Sequence, residues 1–125
     1  MDELVVTVYF YNMLSSDDYP YTKMMGYAHI NVKDIEAQLG KSKLSFRPSA
    51  LAKNPGTGEW YILSSVNKAL VIADAAWHVK SVYPLQSSLF VQPEGIAFDN
   101  QNNLYISNEG DELHQGTILK FNFKK

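Results

Sequence analysis

Two stretches of this chain repeat each other, and the repeat limits the fold more than any other feature of the sequence. Arg47-Pro48-Ser49-Ala50-Leu51-Ala52 aligns with Gln92-Pro93-Glu94-Gly95-Ile96-Ala97. The two copies lie about 45 residues apart, a period that marks blade or solenoid architectures. A turn follows in each copy, Asn54-Pro55-Gly56-Thr57-Gly58 and Asp99-Asn100-Gln101-Asn102-Asn103. Then come Trp60-Tyr61-Ile62-Leu63-Ser64-Ser65 and Leu104-Tyr105-Ile106-Ser107-Asn108-Glu109. The copies resume with Ala69-Leu70-Val71-Ile72-Ala73 against Gly116-Thr117-Ile118-Leu119-Lys120, and only the first adds a fourth apolar run, Trp77 to Tyr83.

Short β-rich runs separated by Gly, Pro, Asn and Asp turns at this period predict propeller blades of four antiparallel strands. Val, Ile, Tyr and Trp dominate the runs, which disfavours helical solenoids of similar period. Ala50, Ala52, Gly95 and Ala97 place small residues on the inner runs, where neighbouring blades approach closely. The expected fold is therefore all-β, a partial β-propeller of two to three four-stranded blades with one short helical insertion.

Three segments follow from this scheme. Residues 46–90 form a complete blade and 91–125 an incomplete last one. Residues 1–45 hold the end of an earlier blade. There, Leu4 to Tyr11 reads as a strand, 15–20 as an exposed loop and Met25 to Ile30 as a weaker strand. A helix over 31–40 is capped by Asn31, carries Val32, Ile35 and Leu39 as its apolar stripe, and ends at Gly40. Closed propellers hold four to eight blades, and about 45 residues a blade leaves this chain short of that number. The flanks are thus expected to be covered by missing propeller blades or by copies of the chain itself, a homo-oligomer.

Composition excludes several partners. Hydrophobic residues make up 46% and charged ones 19%, enough for a core and too little charge for a disordered chain. Eleven basic residues stand against thirteen acidic ones with no basic stripe, which argues against nucleic acid and against an anionic membrane surface. No apolar run is long enough for a membrane span. With no cysteine there is no disulfide framework and no thiolate zinc site.

The second half resembles the SdiA-regulated family, a bacterial group of secreted or lipid-anchored β-propellers. The residues that carry the likeness are Arg47 to Ala52, Trp60 to Ser65, Gln92 to Asp99, Asn103 to Gly110 and Gly116 to Leu119. The Pro-Glu-Gly-Ile-Ala block with its Leu-Tyr-Ile-Ser strand also occurs in NHL-type and gluconolactonase-like propellers, so it marks a superfold more than a chemistry. The resemblance implies a periplasmic or cell-envelope location, and further N-terminal blades in longer family members.

A site is expected on one rim. If the inner strand starts at one end of the blade, the second strand returns there and the third departs from it. Arg47, Ser49, Ser64, Ser65 and Asn67 of one blade then share that end with Gln92 and Glu94 of the next, forming a ligand-binding rim. Glu94, Asn108, Glu109 and Asp111 supply hard oxygen ligands, making calcium the candidate cofactor, although their spacing matches no EF-hand loop. The structural alternative pairs Glu94 with Arg47, the one arginine of the chain, and leaves 108–111 as a turn. Arg47 could also clamp a carboxylate or phosphate. His29, His78 and His114 are scattered, His78 within an expected outer strand, and Ser64-Ser65 has no nucleophile-elbow context. Tyr61 and Tyr105 occupy equivalent packing positions, while Tyr9, Tyr11, Tyr19, Tyr21 and Tyr27 mark an exposed patch.

Three functions compete. The residues favour a non-enzymatic module that binds a small ligand or a protein at the rim. The alternatives are a calcium-dependent hydrolase of the lactonase kind and a truncated propeller that functions only in association.

Overall fold

The computed structural model describes residues 5–15 and 20–124. Leu4 and residues 16–19 of the expected loop lie outside the described residues. The elements run β1 (Val5–Ser15), β2 (Pro20–Asn31), α1 (Val32–Leu39), β3 (Ala50–Lys53), β4 (Trp60–Ser64), β5 (Ala69–Ala73), β6 (Val79–Pro84), β7 (Pro93–Phe98), β8 (Leu104–Asn108) and β9 (Thr117–Phe121). They make three antiparallel sheets, ordered β1-β2, β3-β4-β5-β6 and β7-β8-β9. The fold is an all-β partial propeller with one short helix among the described residues, but only the β3-β4-β5-β6 sheet has the four strands expected of each blade, the others having two and three.

Register shows that the repeat is structural. Ala50 pairs with Leu63 and Leu51 with Ile62 in one blade; Gly95 pairs with Ser107 and Ile96 with Ile106 in the next. The third strands correct the alignment by one position. Ser64 opposes Ala69 and Asn108 opposes Thr117, so Thr117, not Gly116, is the counterpart of Ala69. The cause is a longer β8–β9 connection, which shifts the frame between strands whose pairing is fixed by hydrogen bonds.

β2 begins at Pro20, well before the expected Met25. Pairing with β1 along its whole length recruits Tyr21 to Met24 into the strand, and ladder formation outweighs the local propensity. A register shift leaves Met25 without a partner, since Phe10 opposes Gly26 and Tyr11 opposes Met24.

The helix has the expected caps. Asn31 Oδ1 accepts a hydrogen bond from Lys33 N at 2.9 Å, and Gly40 ends the helix at φ 65°. Val32 and Ile35 are buried. Gln38 extends to β6, donating from Nε2 to Lys80 O at 3.1 Å and accepting from Val82 N at 3.1 Å. One side-chain amide thus stands in for a neighbouring strand on the outer edge of the complete blade, where free N–H and C=O groups invite unwanted pairing.

Successive residues of a strand point to opposite faces, and Ile62 and Leu63 show the consequence. Ile62 is buried with Ile30, Val32, Ile35, Phe46, Val71 and Val82, among the hairpin, the helix and one face of the blade. Leu63 is buried with Leu70, Phe90 and Ile106, on the face toward the β7-β8-β9 sheet. Each such burial stabilises by about 1.5–3 kcal/mol.

Trp77 and His78 depart from the expected fourth strand. β6 starts at Val79, and Trp77 sits in the preceding turn at φ 70°, where Asp74 Oδ1 accepts from Ala76 N and His78 N, each at 2.9 Å. That turn swings the indole inward, where it is buried and stacked on Trp60 with ring centroids 4.5 Å apart. Aromatic packing wins over the alternating pattern.

Candidate functional site

The starts of β3 and β7 and the ends of β4 and β8 meet on one rim through hydrogen bonds. Ser49 N donates to Leu63 O at 2.7 Å. Ser49 Oγ lies 3.2 Å from both Leu63 O and Pro93 O and accepts from Ser65 N at 3.1 Å. In the next blade Glu109 N donates to Gln92 O at 2.9 Å. The expected rim residues therefore share one end of the two blades.

They divide by what their side chains do there. Ser64, fully buried, donates from Oγ to Asn67 Oδ1 at 2.7 Å and accepts from Asn67 N at 3.1 Å. Asn67 in turn accepts from Arg47 N at 3.0 Å and donates to Ser45 O at 3.1 Å. Together they pin the segment that enters β3. Asn108 plays the matching part in the second blade, donating from Nδ2 to Leu89 O at 3.2 Å and to Thr117 Oγ1 at 3.0 Å. Ser49, Ser64, Asn67 and Asn108 thus hold the rim's backbone.

Arg47, Gln92, Glu94 and Glu109 are exposed. Among the described residues Glu59 pairs with Lys80, while the carboxylates of Asp74 and Asp111 contact the rings of His78 and His114; Glu94 and Arg47 are not paired with each other. Glu94 has a distinctive backbone position. Pro93 opposes Asn108 and Gly95 opposes Ser107, which leaves Glu94 as the extra residue of a β-bulge. Bulges turn a side chain out of the regular alternation and recur beside functional sites.

The four oxygen-bearing residues are arranged unequally. Asp111 heads its own turn, accepting from Leu113 N at 2.8 Å, His114 N at 2.7 Å and His114 Nδ1 at 3.0 Å. Those bonds, the one from Leu113 N foremost, hold its carboxyl below the ordinary aspartate range. Among the described residues no three His, Cys, Asp or Glu side chains converge as a metal-holding group. Asn108 Oδ1 is buried and has no hydrogen-bond partner.

A cavity of about 420 Å³ opens on this rim, between the linker into β7 and the β8–β9 connection. Asn108, Glu109, His114 and Thr117 line one side, Ser88, Leu89 and Val91 the other. The contribution of 88–91 had no signal in the sequence, because it depends on where the linker returns. Lys68 was missed for the same reason. It lies at φ 50° and its ammonium donates to Phe90 O at 2.8 Å and to Val91 O, fastening the linker to the complete blade.

The tyrosines separate as their repeat positions suggest. Tyr61 packs edge-on against Phe98 at 4.8 Å, and Tyr105 OH donates to Asp99 Oδ2 at 3.1 Å. Tyr9, Tyr11 and Tyr27 are exposed; Tyr19 lies outside the described residues.

A protein-family comparison matches residues 19–114, more than half of the chain, to the SdiA-regulated family. The chain belongs to that family. No curated protein and no solved structure matches it. Among the described residues no helix is long and apolar enough to cross a membrane.

Proposed function

We propose that this chain is a non-enzymatic binding module that takes a small polar ligand at the rim, with Glu109 as the recognition group within the rim cavity and Arg47, Gln92 and Glu94 as exposed groups of the same rim outside the cavity lining. The observation that carries the reading is the rim cavity, which has the mixed lining of ligand pockets: apolar Leu89, Val91 and Leu119 beside a few polar groups. Ser49, Ser64 and Asn67 contribute by fixing the backbone, and Ser65 by its N–H bond to Ser49. Arg47 offers a fork suited to a carboxylate or phosphate; Glu94 and Glu109 offer acceptors for hydroxyl or ammonium donors.

Amide chemical-shift mapping of the intact chain with acetate, inorganic phosphate, ethanolamine and glycerol tests this. At least one probe is expected to move the amides of Gln92, Glu94, Asn108 and Glu109 saturably. Arg47→Ala weakens the anionic probes, and Glu94→Gln the amine. Saturable shifts elsewhere, or none from any probe, refute the assignment.

A further inference from the structure

The complete blade is covered on both faces, by the hairpin with its helix and by the incomplete blade. The two outward faces of this stack are opposite in character. On the hairpin, Val6, Val8, Phe10 and Ala28 point inward, so the alternate positions point out. Tyr9 opposes Tyr27 there, with ring centroids 6.4 Å apart, and both rings are more than half exposed. Tyr11 and Met24, which oppose each other on the same face, extend this bulky surface and are more than half exposed.

The outward face of the incomplete blade is hollow. Gly95, Ala97, Tyr105, Ser107 and Ile118 line a depression of about 440 Å³, and Ile118 is 74% exposed. The repeat shows how the hollow arises. The pair Ala50–Leu63 of the complete blade is replaced by Gly95–Ser107. In the complete blade those positions bury Leu63 against the next sheet. Two smaller residues at the same places remove bulk and add a hydroxyl, so a surface built like the existing blades would leave this depression unfilled. Tyrosine rings, which bring both volume and a hydroxyl, fit it.

We infer that the chain self-associates head to tail, the Tyr9–Tyr27 face of one copy seated in the Gly95–Ser107 hollow of the next. The contact continues, in the same stacking direction, the sheet-on-sheet interface already present between the two blades. Because the mating surfaces differ, the interface is heterologous and propagates to a ring or an array. It is independent of the rim site.

Sedimentation of the intact protein reads this directly. The wild type is expected as a concentration-dependent multiple of 14.1 kDa. Tyr27→Glu and Ile118→Glu each reduce it to a monomer with an unchanged circular dichroism spectrum, as surface substitutions should. Mixing the two variants is the decisive arm. Each keeps one intact surface, so the mixture forms a one-to-one dimer and nothing larger. Tyr27→Ala repeats the dissociation without a new charge. A wild type that stays monomeric from micromolar to millimolar concentration overturns the inference and leaves the flanks to another polypeptide. Variants that do not complement overturn it in favour of a two-fold interface.

Discussion

The hydroxyl of Ser49 lies 3.2 Å from the backbone carbonyl oxygen of Pro93, so a side chain of one blade is bonded to the inner strand of the next. Ser49 Oγ also accepts from Ser65 N at 3.1 Å. Ser49→Ala removes a donor from one half-buried group and an acceptor from another, and is expected to cost about 1–3 kcal/mol. The denaturation midpoint should fall with no change in slope, and the amide shifts of Ser65 and Glu94 should move together. A midpoint within error of wild type would show that the blades are held by apolar contact alone.

Trp77 packs on Trp60 from a turn residue at φ 70°, which sets two opposing terms. Removing the buried indole should cost about 3–5 kcal/mol. The left-handed backbone penalises any residue with a Cβ by about 1 kcal/mol or more. Trp77→Gly is therefore expected to be less destabilising than Trp77→Ala by about 1 kcal/mol, the reverse of the order at an ordinary strand position. Thermal melts of the two variants check the sign.

The parts of the fold written in local pattern were legible in the sequence. The blade period, the turn residues and the helix with Asn31 and Gly40 at its ends each rest on a few adjacent residues. What escaped depends on distant partners. β2 extends back to Pro20 because β1 is there to pair with it, and Trp77 leaves its strand because Trp60 and Phe10 receive it. The common end of these strands followed from strand direction alone, whereas the division between framework and free side chains there did not. Ser64 and Glu94 are both polar residues at strand ends, and only the partner Asn67 and the bulge at Pro93/Gly95 distinguish them. The outer edge guarded by Gln38 gave no sequence signal, since one glutamine on a helix says nothing of the strand it meets.

Asp99 makes the stability of the second blade acid-sensitive. Its carboxylate accepts from Asn103 Nδ2 at 3.0 Å, Asn103 N at 2.9 Å, Tyr105 OH at 3.1 Å and Gln101 N at 2.9 Å. These bonds, the one from the Asn103 side chain foremost, lower its pKa from 3.8 to about 2. A carboxyl whose folded pKa is depressed binds its proton more readily in the unfolded chain, so its contribution is full above the unfolded value and lost as pH falls through the folded one. Asp74, Asp111 and Glu59 are lowered in the same direction. Stability should therefore be level near neutrality and decline from about pH 4 toward pH 2. Asp99→Asn, which cannot ionise, should show a shallower decline by urea titration at stepped pH. An unaltered acid limb would remove Asp99 from the account.

Gly95 faces Ser107 across the β7–β8 ladder, and a Cβ at Gly95 would stand 2.3 Å from Ser107 Oγ but 3.6 Å from Ser107 Cβ. The obstacle is thus a single hydroxyl. Gly95→Ala must drive Ser107 out of its rotamer, at a cost of about 1 kcal/mol. Without that hydroxyl the new methyl makes ordinary contact, and Gly95 is not among the residues at positive φ. In a Ser107→Ala background the same substitution should become stabilising by about 0.4–1 kcal/mol, because alanine narrows the unfolded ensemble. The double-mutant cycle therefore carries a change of sign, well beyond the additivity expected of independent sites. Equal effects of Gly95→Ala in the two backgrounds, read from denaturation midpoints, would mean that Ser107 already rotates freely and does not account for the glycine.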